Sequence, residues 1–103
     1  MNKTNYVSLI GTLVKDAIIR KNDKGFDYVL FTLSVPQTGT KWHDYINCIA
    51  FNENAAIIAK NPSKGVSYRI EGRIHTSSFE RNGKRHYSTD VVAEKIEMVN
   101  RND

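Results

Sequence analysis

The chain is poor in several features, and each shortage excludes a class of protein. It has one cysteine, Cys48, among 103 residues, so an internal disulfide is excluded and a reducing, cytoplasmic compartment is expected. Residues 1–6 lack the apolar core of a secretory signal peptide. No apolar run approaches the ~20 residues that a membrane-spanning helix requires. A role in a membrane is therefore not expected.

Arrangements that support catalysis or metal binding are also missing. His43, His75 and His86 are far apart, with no cysteine or carboxylate at metal-ligand spacing. Cys48 falls on the predicted buried face of a strand, where thiols are usually inert. No glycine-rich segment matches a P-loop or a dinucleotide fingerprint. The sequence predicts a protein that is not an enzyme and holds neither a metal nor a cofactor.

What the chain does have is the composition of one small, basic, folded domain. Its length suits a single domain covering residues 1–103. Apolar residues make up 40% of the chain, enough for a small core. Lys and Arg number 15 against 11 Asp and Glu, giving a net charge of +4, which attracts polyanions. Charge alone does not identify the partner, because many basic proteins bind no nucleic acid.

Most segments have the β-branched and aromatic composition of strands, bounded by Gly, Asn, Asp and Pro. The predicted elements are the strands Tyr6–Lys15, Phe26–Val35 and Asp44–Phe51, a helix Glu53–Lys60 capped by Asn52, and a long hairpin of Val66–Phe79 and His86–Val99. Asn82-Gly83 is a strong hairpin-turn signal. Five strands with a helix between the third and fourth predict an all-β OB-fold, a Greek-key barrel. A sandwich or an SH3-like barrel remains an alternative, because the order of the strands in the sheet cannot be read from the pattern.

Strand alternation places aromatic and basic residues on shared faces. On the third strand Tyr45 and Phe51 have the parity opposite to Cys48, and on the fourth Arg69 and Arg73 share the parity of Phe79. Exposed aromatics can stack on bases of any sequence while cations follow the phosphates. The competing interpretation is that these aromatics belong to the core or to a subunit interface. The combination with arginines favours contact with nucleic acid.

Further basic residues lie in predicted loops and at the hairpin tip. They are Arg81, Lys84 and Arg85 at the tip, Lys15 at the end of the first strand, and Arg20 in the segment that follows it. Each cluster is also consistent with a solvated loop whose charge maintains solubility. We expect all five to contact phosphates if the chain binds a nucleic acid.

The residues also resemble those of bacterial-type single-stranded DNA-binding proteins over nearly the whole chain. The matching segments are Asn5–Leu13, Phe31–Val35, Asp44–Phe51, Lys64-Gly65, Ile70–Ile74 and Tyr87–Ala93. Each segment alone is a weak signal, whereas all of them in order are quite specific. The resemblance implies sequence-independent binding and protection of single-stranded DNA during replication, recombination and repair. It also implies a cytoplasmic, nucleoid-associated location.

The same resemblance assigns roles to particular residues. By position, Tyr45, Phe51 and Phe79 match the aromatics on which the family stacks bases. A further stacking residue of the family falls near Gly39, and Trp42 is the candidate to replace it. The family assembles as a homotetramer or sometimes a dimer, with contacts from the first strand and the barrel surface.

The chain departs from the family pattern at its end. Family members usually continue into a flexible tail with an acidic, apolar tip that recruits replication and repair enzymes, whereas this sequence stops at Asn100–Asp103. Either the sequence is a shortened part of a longer protein, or the protein is a naturally tailless form. An alternative is therefore an accessory OB protein, similar to primosomal replication protein n or encoded by a mobile element, that acts mainly as a replication adaptor. An RNA-binding OB domain is a third alternative.

Overall fold

The computed structural model describes residues 4–21, 23 and 27–99. These residues form six strands and one helix. In chain order they are β1 (Val7–Leu13), β2 (Ile18–Lys21), β3 (Asp27–Pro36), β4 (His43–Phe51), α1 (Asn52–Lys60), β5 (Ser67–Arg81) and β6 (Lys84–Met98). The helix directly precedes the long final hairpin, as the sequence predicts, but four strands rather than the predicted three come before it.

The strands form one sheet that closes into a ring. Their order is β1-β5-β6-β4-β3-β2, and an extra pairing between β1 and β3 completes the closure. β4 and β6 run parallel, while the other neighbours are antiparallel. β1 changes partner at Thr12, which pairs with both Ser67 of β5 and Ser34 of β3. This closed sheet with its single short helix is the OB-fold that the strand pattern predicts.

The core lies inside the ring and is built from one side of every strand except β2, whose four residues are all exposed. Its largest fully buried side chains are Tyr68, Leu13, Leu33, Ile58, Ile70 and Val29. α1 contributes Ala55 and Ile58, both buried, so the helix covers part of the barrel interior. The hydroxyl of Tyr68 donates to the carbonyl of Asn61 at 2.7 Å. This bond provides a partner for a polar atom whose residue is fully buried.

Gly72 lies where the backbones of β5 and β6 approach each other closely. A Cβ at this position would collide with the backbone carbonyl of Val92 on β6. The register of the two strands also shifts between Glu71 and Gly72. Such an irregularity bends a sheet. Beyond it the β5–β6 pair continues as a long hairpin, and the residues of β5 from Arg73 to Arg81 are all exposed.

The hairpin ends in the two-residue turn that the sequence predicts. Asn82 and Gly83 have φ values of 54° and 76°, and Arg81 pairs with Lys84 across the turn. A positive φ at both central residues is the signature of a type I′ turn, which Asn-Gly favours. Alternation along β5 gives Ile74 the parity of Tyr68 and Ile70 and so predicts it on the buried face. This prediction is wrong, since Ile74 is 45% exposed because it lies beyond the bend.

Two other local predictions are corrected by the structure. The segment around Ile18, which falls between the first two predicted strands, forms a further short strand, β2, because it pairs with β3 from Leu30 to Asp27. Asn52 does not cap α1: Phe51 occupies the N-cap position, no side-chain cap bond forms, and Asn52 has a φ of 53°. An N-cap residue normally has extended backbone angles, which Asn52 does not have.

Candidate nucleic-acid interface

The side chains on the outside of the sheet form rows that cross several strands. We call this surface the outer face; it comprises the outward residues of β2, β3, β4 and β6 together with Arg73 on β5. Residues paired across neighbouring strands point to the same side of a sheet. One row runs from β2 to β5 and consists of Ile18, Leu30, Ile49, Val92 and Arg73. Within this row Val92 is itself buried. The strand register therefore joins five strands into one continuous surface.

A second row combines a cation with two aromatic rings. Arg20 of β2 pairs with Tyr28 of β3, which pairs with Phe51 of β4. The ring centroids of Tyr28 and Phe51 are 6.4 Å apart, with their planes tilted by 38°. Phe51 remains 45% exposed. A cation thus lies beside an aromatic pair in which Phe51 is exposed and Tyr28 partly buried, as stacking of bases combined with phosphate contact requires.

Tyr45 and Trp42 extend the aromatic surface beyond this pair. Tyr45 lies on β4 opposite Ser34 and is 67% exposed, and Trp42 in the preceding loop is 65% exposed. The backbone of Trp42 is anchored, since its N–H donates to Thr40 Oγ1 at 3.0 Å and its carbonyl accepts from the Gln37 N–H at 2.9 Å. An exposed ring on an anchored backbone is suited to stacking.

Phe79 lies on the hairpin rather than on the barrel wall. It pairs with His86 across the hairpin, and the two rings stack with centroids 5.3 Å apart. Phe79 shares its side of the hairpin with Arg81 and Lys84, which flank the turn. The same parity continues down β5 to Arg73 on the outer face. The hairpin therefore prolongs the outer face and carries both an aromatic ring and cations.

The structure does not bring every predicted cation to this surface. Arg85 pairs with Glu80 on the side of the hairpin opposite to Phe79, and its guanidinium lies 3.4 Å from the Glu80 carboxylate. Arg69 forms an ion pair with Glu97 at 3.2 Å. It lies ten residues before Phe79 on β5, about 33 Å of extended strand. The roles of Arg85 and Arg69 in phosphate contact remain predictions that the geometry does not favour.

Two other predicted cations do lie at the outer face. Arg73 forms an ion pair with Glu94 at 3.5 Å, and both side chains are about half exposed. Lys15 lines a cavity in the outer face with Ile18 and Leu30. Sequence reasoning missed Tyr28 and His86 as members of the site. Each is the cross-strand partner of a predicted aromatic, so correct strand registers would have identified both.

Cys48 lies directly beneath the outer face and is buried. Burial, with a smaller contribution from the negative charge of Asp90, raises the pKa of its thiol to about 12. A thiol with so high a pKa stays protonated near neutral pH and is a poor nucleophile. Among the described residues, no group of three or more His, Cys, Asp or Glu side chains is placed to hold a metal ion. Within the same part of the chain, no helix is long and apolar enough to cross a membrane.

Fold and surface together define an OB-fold domain with an aromatic and basic outer face, and this fold class binds oligonucleotides or sugars through its sheet face and loops. The model of the Single-strand binding protein family matches residues 4–99. The chain belongs to this family.

Curated relatives agree with the family match. The chain is 36% identical to Single-stranded DNA-binding protein 2 of Listeria monocytogenes serovar 1/2a over 101 residues, which cover 92% of the chain and 63% of that protein. It is 35% identical to the Single-stranded DNA-binding protein of Bacillus cereus, covering 92% and 59%. A third relative is Single-stranded DNA-binding protein 1 of Streptococcus pyogenes serotype M18, with 36% identity covering 96% and 81%. The chain thus spans about three fifths of the length of the first two relatives.

Proposed function

We propose that the protein binds single-stranded DNA without requiring a particular sequence and protects it during replication, recombination and repair. The observation that carries this proposal is the row of Arg20, Tyr28 and Phe51 on the outer face. Base stacking on aromatic rings tolerates any sequence, because every base has a π face. Positive side chains add affinity by releasing the counterions of the phosphates.

The size of the surface is consistent with a short stretch of single strand. Neighbouring strands lie about 4.8 Å apart, so the row from Ile18 on β2 to Arg73 on β5 is about 19 Å wide. OB-folds that bind single strands occupy about 4 to 16 nucleotides each. The hairpin with Phe79 lengthens the surface further. One domain of this protein can therefore contact several consecutive nucleotides, with Tyr45 and Phe51 at the barrel and Phe79 on the hairpin.

The protein acts in this proposal as a binding protein rather than an enzyme. The names of the relatives support single-stranded DNA as its ligand. Assembly into a homotetramer or a dimer and a location with the bacterial nucleoid in the cytoplasm are further parts of the proposal, and the family membership supports them. The competing hypothesis is a replication adaptor whose main ligand is another protein.

A competition experiment tests the proposal. A fluorescein-labelled oligo(dT) is titrated with the protein and followed by anisotropy, and unlabelled single-stranded DNA, duplex DNA and RNA of matched length then compete. We expect single-stranded DNA to compete best. We also expect log affinity to fall with log salt concentration by roughly 0.7 per phosphate neutralised. Duplex DNA that competes as well as single-stranded DNA would contradict the proposal. A protein that binds no oligo(dT) even at low salt would also contradict it and would favour the replication adaptor.

A further inference from the structure

The outer face contains a cavity that base stacking does not explain. Its volume is about 230 Å³, and it lies between β2, β3, β4 and β6. The apolar part of its wall consists of Ile18 and Leu30 with the buried Phe31 and Cys48. Its polar part consists of Lys15, Thr32, Asn47 and Asp90. The cavity therefore has both an apolar wall and groups that can form hydrogen bonds.

Two polar groups of this wall have unused hydrogen-bonding capacity. Thr32 Oγ1 donates to Asn47 Oδ1 at 3.1 Å. Within the described part of the chain, the Asn47 amide nitrogen donates to no acceptor. In the same part of the chain, the half-buried carboxylate of Asp90 has neither an ion pair nor a hydrogen bond. A carboxylate is only an acceptor when ionised, so its ligand must supply a donor.

The size of the cavity suits one aromatic heterocycle. A cavity of about 150 Å³ with an apolar lining accommodates benzene, so about 230 Å³ accommodates one base with its polar substituents. We propose that this cavity takes one base of the bound strand and that Asp90 selects a base with an exocyclic amino group, so that cytosine is preferred to uracil or thymine. This inference rests on the proposed function, since it presupposes that a strand occupies the outer face.

Charge explains why Asp90 faces a base rather than the backbone. An ionised carboxylate repels phosphate, whereas Lys15 at the same cavity attracts it. Cytosine offers the N4 amino group as a donor to a carboxylate, while thymine has an acceptor, O4, at the corresponding position. With the C4 substituent facing Asp90, thymine and uracil would place two acceptors, O4 and the carboxylate, against each other. The preference acts at one position in each domain, and the stacked bases elsewhere are held without selection.

The test compares two oligomers that differ mainly at this substituent. Oligo(dC) and oligo(dU) of equal length compete for the protein. Because both lack the thymine methyl group, their bases differ only in the substituent at C4, amino or carbonyl, and in whether the neighbouring N3 carries a hydrogen. We expect the wild type to bind oligo(dC) at least about threefold more tightly, in line with one added hydrogen bond. Equal binding of the two oligomers would overturn the inference.

Variants assign the preference to the cavity. Asp90→Asn is expected to bring the affinity ratio to about one, because an amide can donate to O4 as well as accept from N4. The matched control is Asp44→Asn, which removes the same charge from a carboxylate that accepts from Gln37 at 3.0 Å outside the cavity. It should keep the preference. If Asp90→Asn keeps the preference for oligo(dC), or if Asp44→Asn loses it, the assignment is contradicted.

A second variant tests the cavity without changing its charge. Ile18→Trp fills the space from the partly exposed edge of β2, and we expect the preference for oligo(dC) to disappear while the thermal midpoint stays close to that of the wild type. A preference that survives in the folded variant would overturn the cavity as its source. Failure of the wild type to bind either oligomer would instead overturn the proposed function itself, so the two failures are distinguishable.

Discussion

The phenyl ring of Phe79 stacks on the imidazole of His86, with centroids 5.3 Å apart and planes 18° from parallel. The two residues are cross-strand partners in the β5–β6 hairpin. Phe79 is still 50% exposed. Its ring is therefore held by a neighbouring ring and also presents surface to a ligand. Such an arrangement reduces the conformational entropy that the side chain loses when a base stacks on it.

Replacing Phe79 with alanine should weaken binding of oligo(dT) by about 1 to 3 kcal/mol, the cost of losing one stacked base. Tyr87→Ala is the matched control. Tyr87 is more exposed, at 75%, but it lies opposite Ser78 on the other side of the same hairpin. Anisotropy titrations should show little change for the control. Equal losses in the two variants would contradict a binding surface on the Phe79 side.

Arg20→Gln should weaken binding and reduce the salt dependence. If Arg20 contacts one phosphate, the slope of log affinity against log salt should become shallower by about 0.7. The control is Lys21→Gln, which removes the same charge from the next residue. Lys21 has the opposite parity and lies 3.8 Å from Asp27. Titrations at four salt concentrations would distinguish them, and an equally reduced slope for Lys21→Gln would argue against a specific contact by Arg20.

Removing the partner of Arg73 should strengthen binding. Glu94→Gln releases Arg73 from its ion pair at 3.5 Å, and we expect affinity for oligo(dT) to rise by about 0.5 kcal/mol, typical of an exposed pair. Glu97→Gln releases Arg69 from an analogous pair at 3.2 Å, four residues before Arg73 on β5. Both variants remove one negative charge. A gain that is no larger for Glu94→Gln than for Glu97→Gln would exclude Arg73 from the interface.

Gly72→Ala should destabilise the fold far more than Gly11→Ala. A methyl group at position 72 would collide with the Val92 carbonyl; at position 11 it would also be too close to the Ser34 carbonyl oxygen, at 2.8 Å, but the overlap is much smaller. We expect Gly72→Ala to cost at least about 3 kcal/mol, the upper range for an overpacked site. Urea unfolding followed by Trp42 fluorescence measures both variants. Similar midpoints for Gly72→Ala and the wild type would contradict the close approach of β5 and β6.

The faces of individual strands could be predicted because side chains alternate with a period of two. This rule correctly placed Cys48 inside and Tyr45 and Phe51 outside. The Asn82-Gly83 turn was equally predictable, since few other pairs adopt a positive φ twice. Alternation failed at Ile74, because parity assigns a side of the sheet but does not show where the barrel wall ends and the exposed hairpin begins.

Contacts between strands required the structure. The partnership of Arg20 with Tyr28 depends on the register of β2 against β3, and the segment from Ile18 is too short to be identified as a strand by its pattern. The sequence also grouped Arg85 with Arg81 at the hairpin tip, although the two lie on opposite sides of it. Proximity in the chain is a poor guide where successive residues alternate between faces.

The most direct test of the account is the affinity for oligo(dT) of a variant in which Tyr45, Phe51 and Phe79 are all replaced by alanine. All three side chains are at least 45% exposed, so the variant should fold with nearly the thermal midpoint of the wild type. If each ring stacks one base, we expect binding to weaken by several kcal/mol, about 1 to 3 for each ring. A folded triple variant that binds with the affinity of the wild type would contradict the account.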